Sequence, residues 1–288
     1  MLEFLRPLLL VLLTVSPGGG AREEPSIDPE ALIRRVVRNQ RRVEEAFEGS
    51  TYDLKEVRTT YAKDGQPKEI ETRLYYVLAG ESGNEGTRDL VEVNGRPCTD
   101  DEKRKAAEDD VKGRKQRLER RAASRASTPP AVSGDEDDPL VGTRRLSDLL
   151  GMFLFRVVGE EVYDGRLGYV LEFAPKPDRA AKGLGERALG SLEGRVVIDA
   201  ADFQVRSVVA RLAKPVKVAG GLAANVKDAE IVYEGRFVAR ERWFPCRVDL
   251  HIKGKTAIFF RLDSGFRFEF ANLRSFQVET ESAVRPDP

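Results

Sequence analysis

The chain has 288 residues, and its 48 Lys and Arg balance 48 Asp and Glu, so its formal net charge is zero. This balance argues against a nucleic-acid partner, because binding to phosphates needs a cationic excess on the binding face. One His and two Cys argue against a zinc site, a His-based triad or a disulfide-rich scaffold, and no metal site is predicted.

The N-terminal residues predict a secretory signal peptide over residues 1–21. A nearly unbroken apolar run from Leu8 to Val15 is too short to span a bilayer as a helix. The small residues Gly19 and Ala21 follow it at positions that suit a signal peptidase. The alternative is a buried N-terminal helix.

Residues 28–48 predict the first helix after this leader. Asp28 suits the N-cap, Pro29 the first helical position and Gly49 the end. The apolar residues at helical spacing form one face: Leu32, Ile33, Val36, Val37, Val43 and Phe47. The pattern indicates an amphipathic helix.

The apolar pattern then changes to a period of two, which indicates strands. Residues 51–80 predict a hairpin with Asp64 and Gly65 at the centre of its turn. A third strand follows and ends at Asn94 and Gly95.

Residues 99–139 predict a charged helix and a linker inserted into the sheet. Ten Lys and Arg from Lys103 to Arg125 stand against four acids, and Thr99 with Glu102 matches a capping box. The apolar stripe is thin, so weak packing is expected; it consists of Ala107, Val111 and Leu118. Residues 103–121 are predicted to offer a surface to an anionic membrane or an envelope protein. The alternative is a solvated helix without a partner.

Residues 145–155 predict a short apolar helix, and almost everything after it alternates as strands. The apolar residues of this helix are Leu146, Leu149, Leu150, Phe153 and Leu154. Turns are predicted at Asp164-Gly165, at 200–202, near Glu241 and at Lys253–Lys255. Short strands joined by hairpin turns indicate one antiparallel sheet and exclude a doubly wound parallel sheet.

Together these elements resemble the outer-membrane lipoprotein carrier superfamily, whose members are called LolA-like. The resemblance rests on the leader, the N-terminal helix and the Asp64-Gly65 hairpin. It also rests on the mid-chain helix that leads into GEEVYDGRLGYVLEFAPKP, and on the strand–turn–strand segment LEGRVVIDAADFQV at 192–205. It covers most of residues 22–288, with 99–139 as an insertion.

The resemblance implies an α+β, mainly antiparallel β fold in a single domain over 22–288. This fold is a curved, incompletely closed barrel (a half-barrel) whose apolar concave face is covered by helices. The resemblance further implies a non-enzymatic protein of the Gram-negative periplasm that binds or carries the acyl chain of a lipid or lipoprotein. No cofactor is expected, and we expect a monomer. The alternative function is an envelope sensor or adaptor with the same fold that contacts a membrane-bound partner.

The residues themselves also predict an apolar face for a ligand. Phe266, Phe268 and Phe270 alternate with Arg267 and Glu269, so the three rings share one face of a strand. The candidate ligand-binding residues are Leu149, Leu150, Phe153, Ile231, Tyr233, Phe237, Val248, Leu250, Ile252, Phe266, Phe268 and Phe270. The alternative is an interior that side chains fill completely.

The two cysteines, Cys98 and Cys246, are predicted to form a disulfide, because an exported protein meets an oxidising compartment. The alternative is a pair of thiols too far apart to bridge.

No catalytic site is predicted, because the chain holds no G-x-S-x-G, P-loop or H-E-x-x-H motif. His251 alternates with Leu250 and Ile252 and is expected on the opposite face of their strand. Asp199 and Asp202 flank a turn and are expected to bond its backbone, a calcium site there being the less favoured alternative.

Overall fold

The structure is a computed structural model that describes residues 27–47, 49–80, 86–126, 146–177, 184–218, 224–238, 242–256 and 260–275. The predicted signal peptide, the linker after residue 126 and the turn near Glu241 lie outside the described residues. Within the described ranges, no helix has the length and apolar character needed to cross a membrane.

The described residues form four helices and twelve strands. In chain order they are α1 (Pro29–Ala46), β1 (Ser50–Tyr61), β2 (Pro67–Leu78), β3 (Thr87–Val93), β4 (Arg96–Pro97), α2 (Asp100–Ala126), α3 (Leu146–Leu150), β5 (Phe153–Tyr163), β6 (Arg166–Pro175), α4 (Leu184–Leu189), β7 (Leu192–Asp199), β8 (Val205–Leu212), β9 (Val216–Val218), β10 (Ala224–Val238), β11 (Arg242–Thr256) and β12 (Phe260–Ser275).

The strands form one sheet in the order β4-β3-β2-β1-β12-β11-β10-β8-β7-β6-β5, with β9 beside β10. Neighbouring strands run antiparallel throughout this order. The C-terminal strand β12 lies between β1 and β11, so it joins the N-terminal strands to the rest. In the described part of the chain the sheet stays open, with β4 and β5 at its edges. The predicted fold class, a mainly antiparallel sheet that is not closed, is confirmed.

The predicted hairpin turns lie where local backbone chemistry favours them. Asn94 and Gly95 have φ values of 52° and 76°, and Asp164 and Gly165 have 55° and 72°. Two successive positive φ values are typical of the two-residue turn whose twist matches that of antiparallel strands. The turns at these two positions are therefore confirmed.

Helices α1 and α3 cover one face of the sheet, which we call the inner face; the opposite face is the outer face. Leu32 and Val36 of α1 and Leu150 of α3 are buried in one cluster with Leu171 of β6 and Ile198 of β7. This cluster is the largest apolar core of the described residues, and it lies over β5–β8.

The apolar run at 145–155 is predicted as one short helix, but it forms a shorter helix followed by the start of a strand. α3 ends at Leu150, the Met152 amide donates to the Leu149 carbonyl at 2.9 Å, and β5 begins at Phe153. Phe153 is buried and Leu154 is exposed, so the run alternates as a strand from Phe153 onward. A short apolar run fits the period of a helix as well as that of a strand, so its pattern alone does not decide between them. The pairing of β5 with β6 decides for the strand.

The turn predicted at Lys253–Lys255 is also wrong, because these residues lie inside β11. A Cβ atom on Gly254 would lie 2.3 Å from the Asn225 carbonyl oxygen of β10. The glycine therefore marks a close approach of two backbones rather than a turn.

Helix α2 docks on the sheet through residues other than the predicted stripe. Ala107 and Val111 are exposed, whereas Ala106 and Asp110 face β3, with Ala106 packed against the buried cluster that includes Tyr75 and Leu90. The side chain of Leu118 lies outside the described residues. The helix thus docks through a small residue and a buried carboxylate, which an apolar pattern does not reveal.

The predicted capping box at the start of α2 is confirmed. The Thr99 amide donates to Glu102 Oε2 at 2.8 Å, and the Glu102 amide donates to Thr99 Oγ1 at 3.3 Å. A hydrogen bond from Arg96 and the bond from the Thr99 amide lower the pKa of Glu102 to about 2.

Candidate ligand-binding face

The strand register brings the predicted aromatic residues of β12 to the inner face. Phe268 lies opposite Val248 of β11, and Val248 lies opposite Tyr233 of β10. In the next row, Phe266 lies opposite Leu250. The predicted shared face of Phe266, Phe268 and Phe270 is confirmed, because directly opposed residues of antiparallel strands point to the same side.

Burial along these rows is uneven. Leu250 and Ile252 are buried within a small cluster of β10 and β11 residues, whereas Val248, Phe266 and Phe268 are only partly buried. We call these three partly buried residues the apolar strip. The strip lies between the cluster under α1 and α3 and the cluster under α2. It is therefore the part of the central inner face that leaves apolar surface to be covered.

An aromatic cluster borders one end of the apolar strip. The Phe270 ring lies 5.9 Å from the Tyr52 ring and 6.2 Å from the Phe244 ring, and Phe47 after α1 lies 5.3 Å from Phe244. Burial raises the pKa of the Tyr52 hydroxyl above its ordinary value. These rings therefore make a surface of low polarity beside Phe268.

Charged residues border the strip on its other side, and they are not among the residues predicted from the sequence. Glu56 of β1 lies opposite Phe268, and Arg58 lies opposite Phe266 with its guanidinium carbon 5.7 Å from the ring centroid. On β2, Arg73 lies opposite Glu56, and its Nη2 donates to Glu71 Oε1 at 2.8 Å. We call Glu56, Arg58, Glu71 and Arg73 the charged border. Glu56 and Arg58 are two and four residues after Leu54 on β1, and Arg73 and Glu71 are two and four residues before Tyr75 on β2. This period of two was the signal in the sequence that could have assigned all four to the inner face.

The other predicted ligand-binding residues lie in the cores beside the strip. Tyr233 and Ile231 pack against the cluster under α1, and burial raises the pKa of the Tyr233 hydroxyl above its usual range. Leu149 is partly buried against this cluster and Leu150 is buried within it. Phe153 is also buried there, with its ring 4.9 Å from that of Phe173.

Phe237 lies apart from the strip. Its ring contacts Trp243 at 5.7 Å, and the Arg166 guanidinium carbon lies 4.5 Å from its centroid. Arg166 in turn binds Asp199 through Nε at 2.7 Å and through Nη2 at 2.8 Å. Phe237 therefore belongs to a polar–aromatic cluster at the β7–β8 turn.

Asp199 bonds the backbone of that turn, as predicted. The prediction is wrong for Asp202, whose carboxylate accepts instead from the side chains of Trp243, through Nε1 at 2.9 Å, and Arg166, through Nη2. Asp199 Oδ1 accepts from the amides of Ala201 and Asp202 at 3.0 and 2.9 Å. Burial alone raises the pKa of Asp199, but the hydrogen bonds from Arg166 and from the turn amides lower it below its ordinary value. Among the described residues, no group of three or more potential metal-binding side chains is found.

The outer face of the same strands is charged. Arg267 Nε donates to Asp249 Oδ1 at 2.8 Å, and Lys55 Nζ lies 3.2 Å from Glu269 Oε2. His251 points to this face, as predicted, and its Nε2 lies 3.0 Å from Asp263 Oδ1. At β11 and β12 the sheet thus separates an apolar inner face from a charged outer face.

The predicted disulfide is not formed: both Cys98 and Cys246 are free. Each thiol donates to a different backbone carbonyl, that of Leu90 at 3.1 Å and that of Glu234 at 3.2 Å. The cause is the sheet order, because β2, β1 and β12 lie between β3 and β11. At about 4.8 Å per strand, these positions are too far apart for a bond that needs Cα atoms within about 7 Å.

Comparison with known proteins finds similarity of this chain to solved structures only. No family model matches the chain, and no curated protein matches it significantly. The chain is similar to a domain from Vibrio parahaemolyticus described as an outer membrane lipoprotein-sorting protein. The TM-score is 0.41 and the identity 12%, over 88% of this chain and 96% of the other.

Two further structures show the same kind of likeness. One is a LolA superfamily protein from Nitrosomonas europaea, with a TM-score of 0.36 and 13% identity over 88% of this chain and 96% of the other. The second is a DUF1329 family protein from Desulfovibrio piger, with a TM-score of 0.37 and 12% identity over 86% of this chain and 94% of the other.

Proposed function

We propose that this protein binds the acyl chain of a lipid or lipoprotein on the inner face of its sheet and catalyses no reaction. The observation that carries the proposal is the apolar strip of Val248, Phe266 and Phe268, which lies partly exposed between two helix-covered cores. An apolar surface bordered by a few charged groups is typical of a site for an amphipathic ligand.

The energetics favour a long, thin apolar ligand. Each methylene that leaves water contributes about 0.8 kcal/mol, so a chain of about twelve carbons gains roughly 10 kcal/mol before ordering is counted. Association and ordering oppose this gain by an amount of the same scale, about 4–15 kcal/mol. Binding that is reversible, as a carrier needs, is the expected outcome.

The charged border gives the ligand a direction. Arg58 lies beside the Phe266 ring and Glu56 lies opposite Phe268, so charged groups of the described residues border the strip on its β1 side. We propose that the apolar tail covers Phe268 and Val248 while the polar end of the ligand lies towards β1 and β2. The proposed location, the periplasm, rests on the signal-peptide pattern at residues 1–21 and on the family resemblance.

The test is binding of a fluorescent long-chain fatty acid to the wild-type protein and to Phe268→Asp. A charge at this position removes the apolar contact, so we expect the variant to stay folded and to bind at least about tenfold more weakly. Val209→Asp is the matched control, because Val209 is exposed on the outer face of β8 and should leave binding unchanged. A wild-type protein that shows no saturable binding of the fatty acid would contradict the proposal. Unfolding of Phe268→Asp would also contradict it, since it would show a fully packed interior.

The alternative, a sensor or adaptor, is favoured by one observation on α2. The helix turns Asp110 towards β3 and leaves Lys105 and Lys112 exposed; these two are seven residues apart and so share the face away from the sheet. They are available to an anionic membrane or an acidic partner protein. Reversal of both charges to Glu would abolish sedimentation with vesicles that contain anionic lipid, and fatty-acid binding would remain intact, if α2 makes this contact.

A further inference from the structure

We propose that two copies of this chain associate through β5, whose edges pair antiparallel and continue the sheet from one copy into the next. Strand β5 is an edge strand of 11 residues, and among the described residues it pairs with β6 alone. Its free side therefore offers backbone N–H and C=O groups to a further strand. The other edge, β4, has only two residues. This association is independent of the proposed ligand.

The side chains of β5 leave apolar surface exposed along this edge. Val162 is 70% exposed and Tyr163 67%, while Leu154 is 51% and Val158 41% exposed. Exposed apolar residues on a long edge strand are unfavourable for an isolated chain, because they invite pairing with another strand. Pairing of two copies requires that the strand be complementary to itself.

A bulge sets which residues share a face. Val157 pairs with Leu171 and Gly159 pairs with Val170, so Val158 is the extra residue. Before the bulge, Phe155 points inward to the core and Arg156 points outward. After it the parity changes, and Val162 lies on the inner face and Glu161 on the outer face.

One antiparallel register places Gly159 opposite its own copy and leaves the extra residue, Val158, unpaired in both copies. Apart from Val157, which then meets Glu160 of the partner subunit, this register matches both faces. It places Arg156 opposite Glu161 of the partner subunit on the outer face, twice by symmetry. It also places Phe155 opposite Val162 of the partner subunit on the inner face. Leu154 meets Tyr163 of the partner subunit, and Gly159 meets its own copy at the two-fold axis. Opposite charges and apolar pairs directly across an antiparallel pair are favourable.

The ion pairs within one copy are compatible with the ion pairs proposed between Arg156 and Glu161 of the partner subunit. Arg156 Nη2 lies 2.6 Å from Glu172 Oε2, yet the Arg156 side chain is 73% exposed. Arg195 Nη2 lies 2.6 Å from Glu161 Oε2, and the Glu161 side chain is 36% exposed. Each member of the new pair thus keeps a neighbour of opposite sign in its own copy. The sequence predicts a monomer, whereas this register makes a second copy of the chain the occupant of the β5 edge.

The test uses charge reversal and mixing, measured by sedimentation velocity up to a few hundred micromolar. The wild type should show a concentration-dependent dimer. Arg156→Glu alone and Glu161→Arg alone each oppose like charges twice, and each should weaken association by about tenfold or more. An equimolar mixture should recover the dimer as a heterodimer, because both cross-pairs are again of opposite sign; native mass spectrometry identifies it. Arg211→Glu and Glu193→Arg are the matched controls, since this exposed pair lies on β7 and β8 away from the edge.

Three results would overturn the proposal. A wild type that stays monomeric over the whole concentration range would show that the edge is free or covered by another part of the same chain. Single reversals that associate like the wild type would exclude Arg156 and Glu161 from the interface. A mixture no better than either variant would exclude this register. Thermal unfolding of every variant confirms that a loss of association is not a loss of fold.

Discussion

Arg88 Nε donates to Asp110 Oδ1 at 3.1 Å, and this ion pair lies where α2 meets β3. Asp110 is buried, whereas Arg88 keeps 40% of its side chain exposed and lies over the Tyr75 ring at 5.1 Å. Helix α2 is therefore attached to the sheet by a charged contact in addition to the packing of Ala106.

Asp110→Ala should lower the free energy of unfolding by about 1–2 kcal/mol, between the values typical of exposed and of buried ion pairs. The buried carboxylate is lost, and Arg88 remains beside the aromatic ring without this partner. Urea unfolding measures the change. Asp109→Ala is the control, because Asp109 is exposed on the neighbouring position of α2 and should have little effect. Equal stability of the two variants would show that the ion pair does not hold the helix.

Phe153→Ala should be among the most destabilising single changes on β5. The ring is 9% exposed and contacts Phe155 at 6.5 Å and Phe173 at 4.9 Å, so its removal leaves a cavity in the main core. The expected loss is about 3–4 kcal/mol. Leu154→Ala should change stability by less than about 0.5 kcal/mol at a protein concentration where the chain is monomeric. A large effect of Leu154→Ala would mean that residues 153–154 do not alternate as a strand.

The strand pattern could be predicted from the sequence because it is local. Phe266, Phe268 and Phe270 share a face whatever their neighbours are, since the period of two belongs to the strand itself. The run around Phe153 could not be assigned in this way, because its residues are apolar at both helical and strand spacing. Gly254 was misread for a similar reason, since glycine is common both in turns and where two backbones approach closely.

The candidate site was only half visible in the sequence. Its apolar residues lie on strands with clear alternation, but the charged border depends on which strands are neighbours. Glu56 and Arg58 come next to Phe268 and Phe266 only because β12 inserts between β1 and β11. The same long-range order separates Cys98 from Cys246, which chain spacing alone does not reveal.

The two cysteines should react as free thiols. Alkylation of protein unfolded without reductant should add two labels per chain, as read by intact mass. In the folded protein, burial raises the pKa of the Cys246 thiol, so its thiolate fraction near neutral pH is reduced and its labelling should be slow. A chain that takes up no label after unfolding without reductant would show that the thiols are paired.

Asp263→Asn should reduce stability near pH 7 and lose this effect in acid. Asp263 is 6% exposed and accepts from Arg261 Nη2 at 2.7 Å. Burial alone raises its pKa, but the hydrogen bonds from Arg261 and His251 more than reverse this, so the pKa lies below its ordinary value. A carboxyl with a lowered pKa in the folded state stabilises the protein above the unfolded pKa, near 3.9, and this stabilisation disappears as the pH falls through the folded value.

Urea unfolding of the wild type and of Asp263→Asn at a series of pH values measures this difference. The gap in unfolding free energy should be constant near neutrality and should narrow once the pH falls below about 4. Asp89→Asn is the control, because Asp89 is exposed on β3 and should give a small gap at every pH. A gap for Asp263→Asn that stays the same into acid would mean that the carboxylate charge does not stabilise the fold.

Gly254→Ala should destabilise the pairing of β10 and β11 at the point where the two backbones come closest. The added Cβ would lie 2.3 Å from the Asn225 carbonyl oxygen and 3.0 Å from Val226 Cα, and both are main-chain atoms that cannot rotate away. One strand must shift, and we expect a loss of about 2–3 kcal/mol in the free energy of unfolding, the upper part of the range for overpacked sites. Gly151→Ala is the matched control, because its Cβ would lie 3.5 Å from the Asp148 carbonyl oxygen, an ordinary contact. Chemical unfolding of both variants gives the comparison, and a Gly254→Ala protein as stable as Gly151→Ala would mean that β10 and β11 are not held this closely at residue 254.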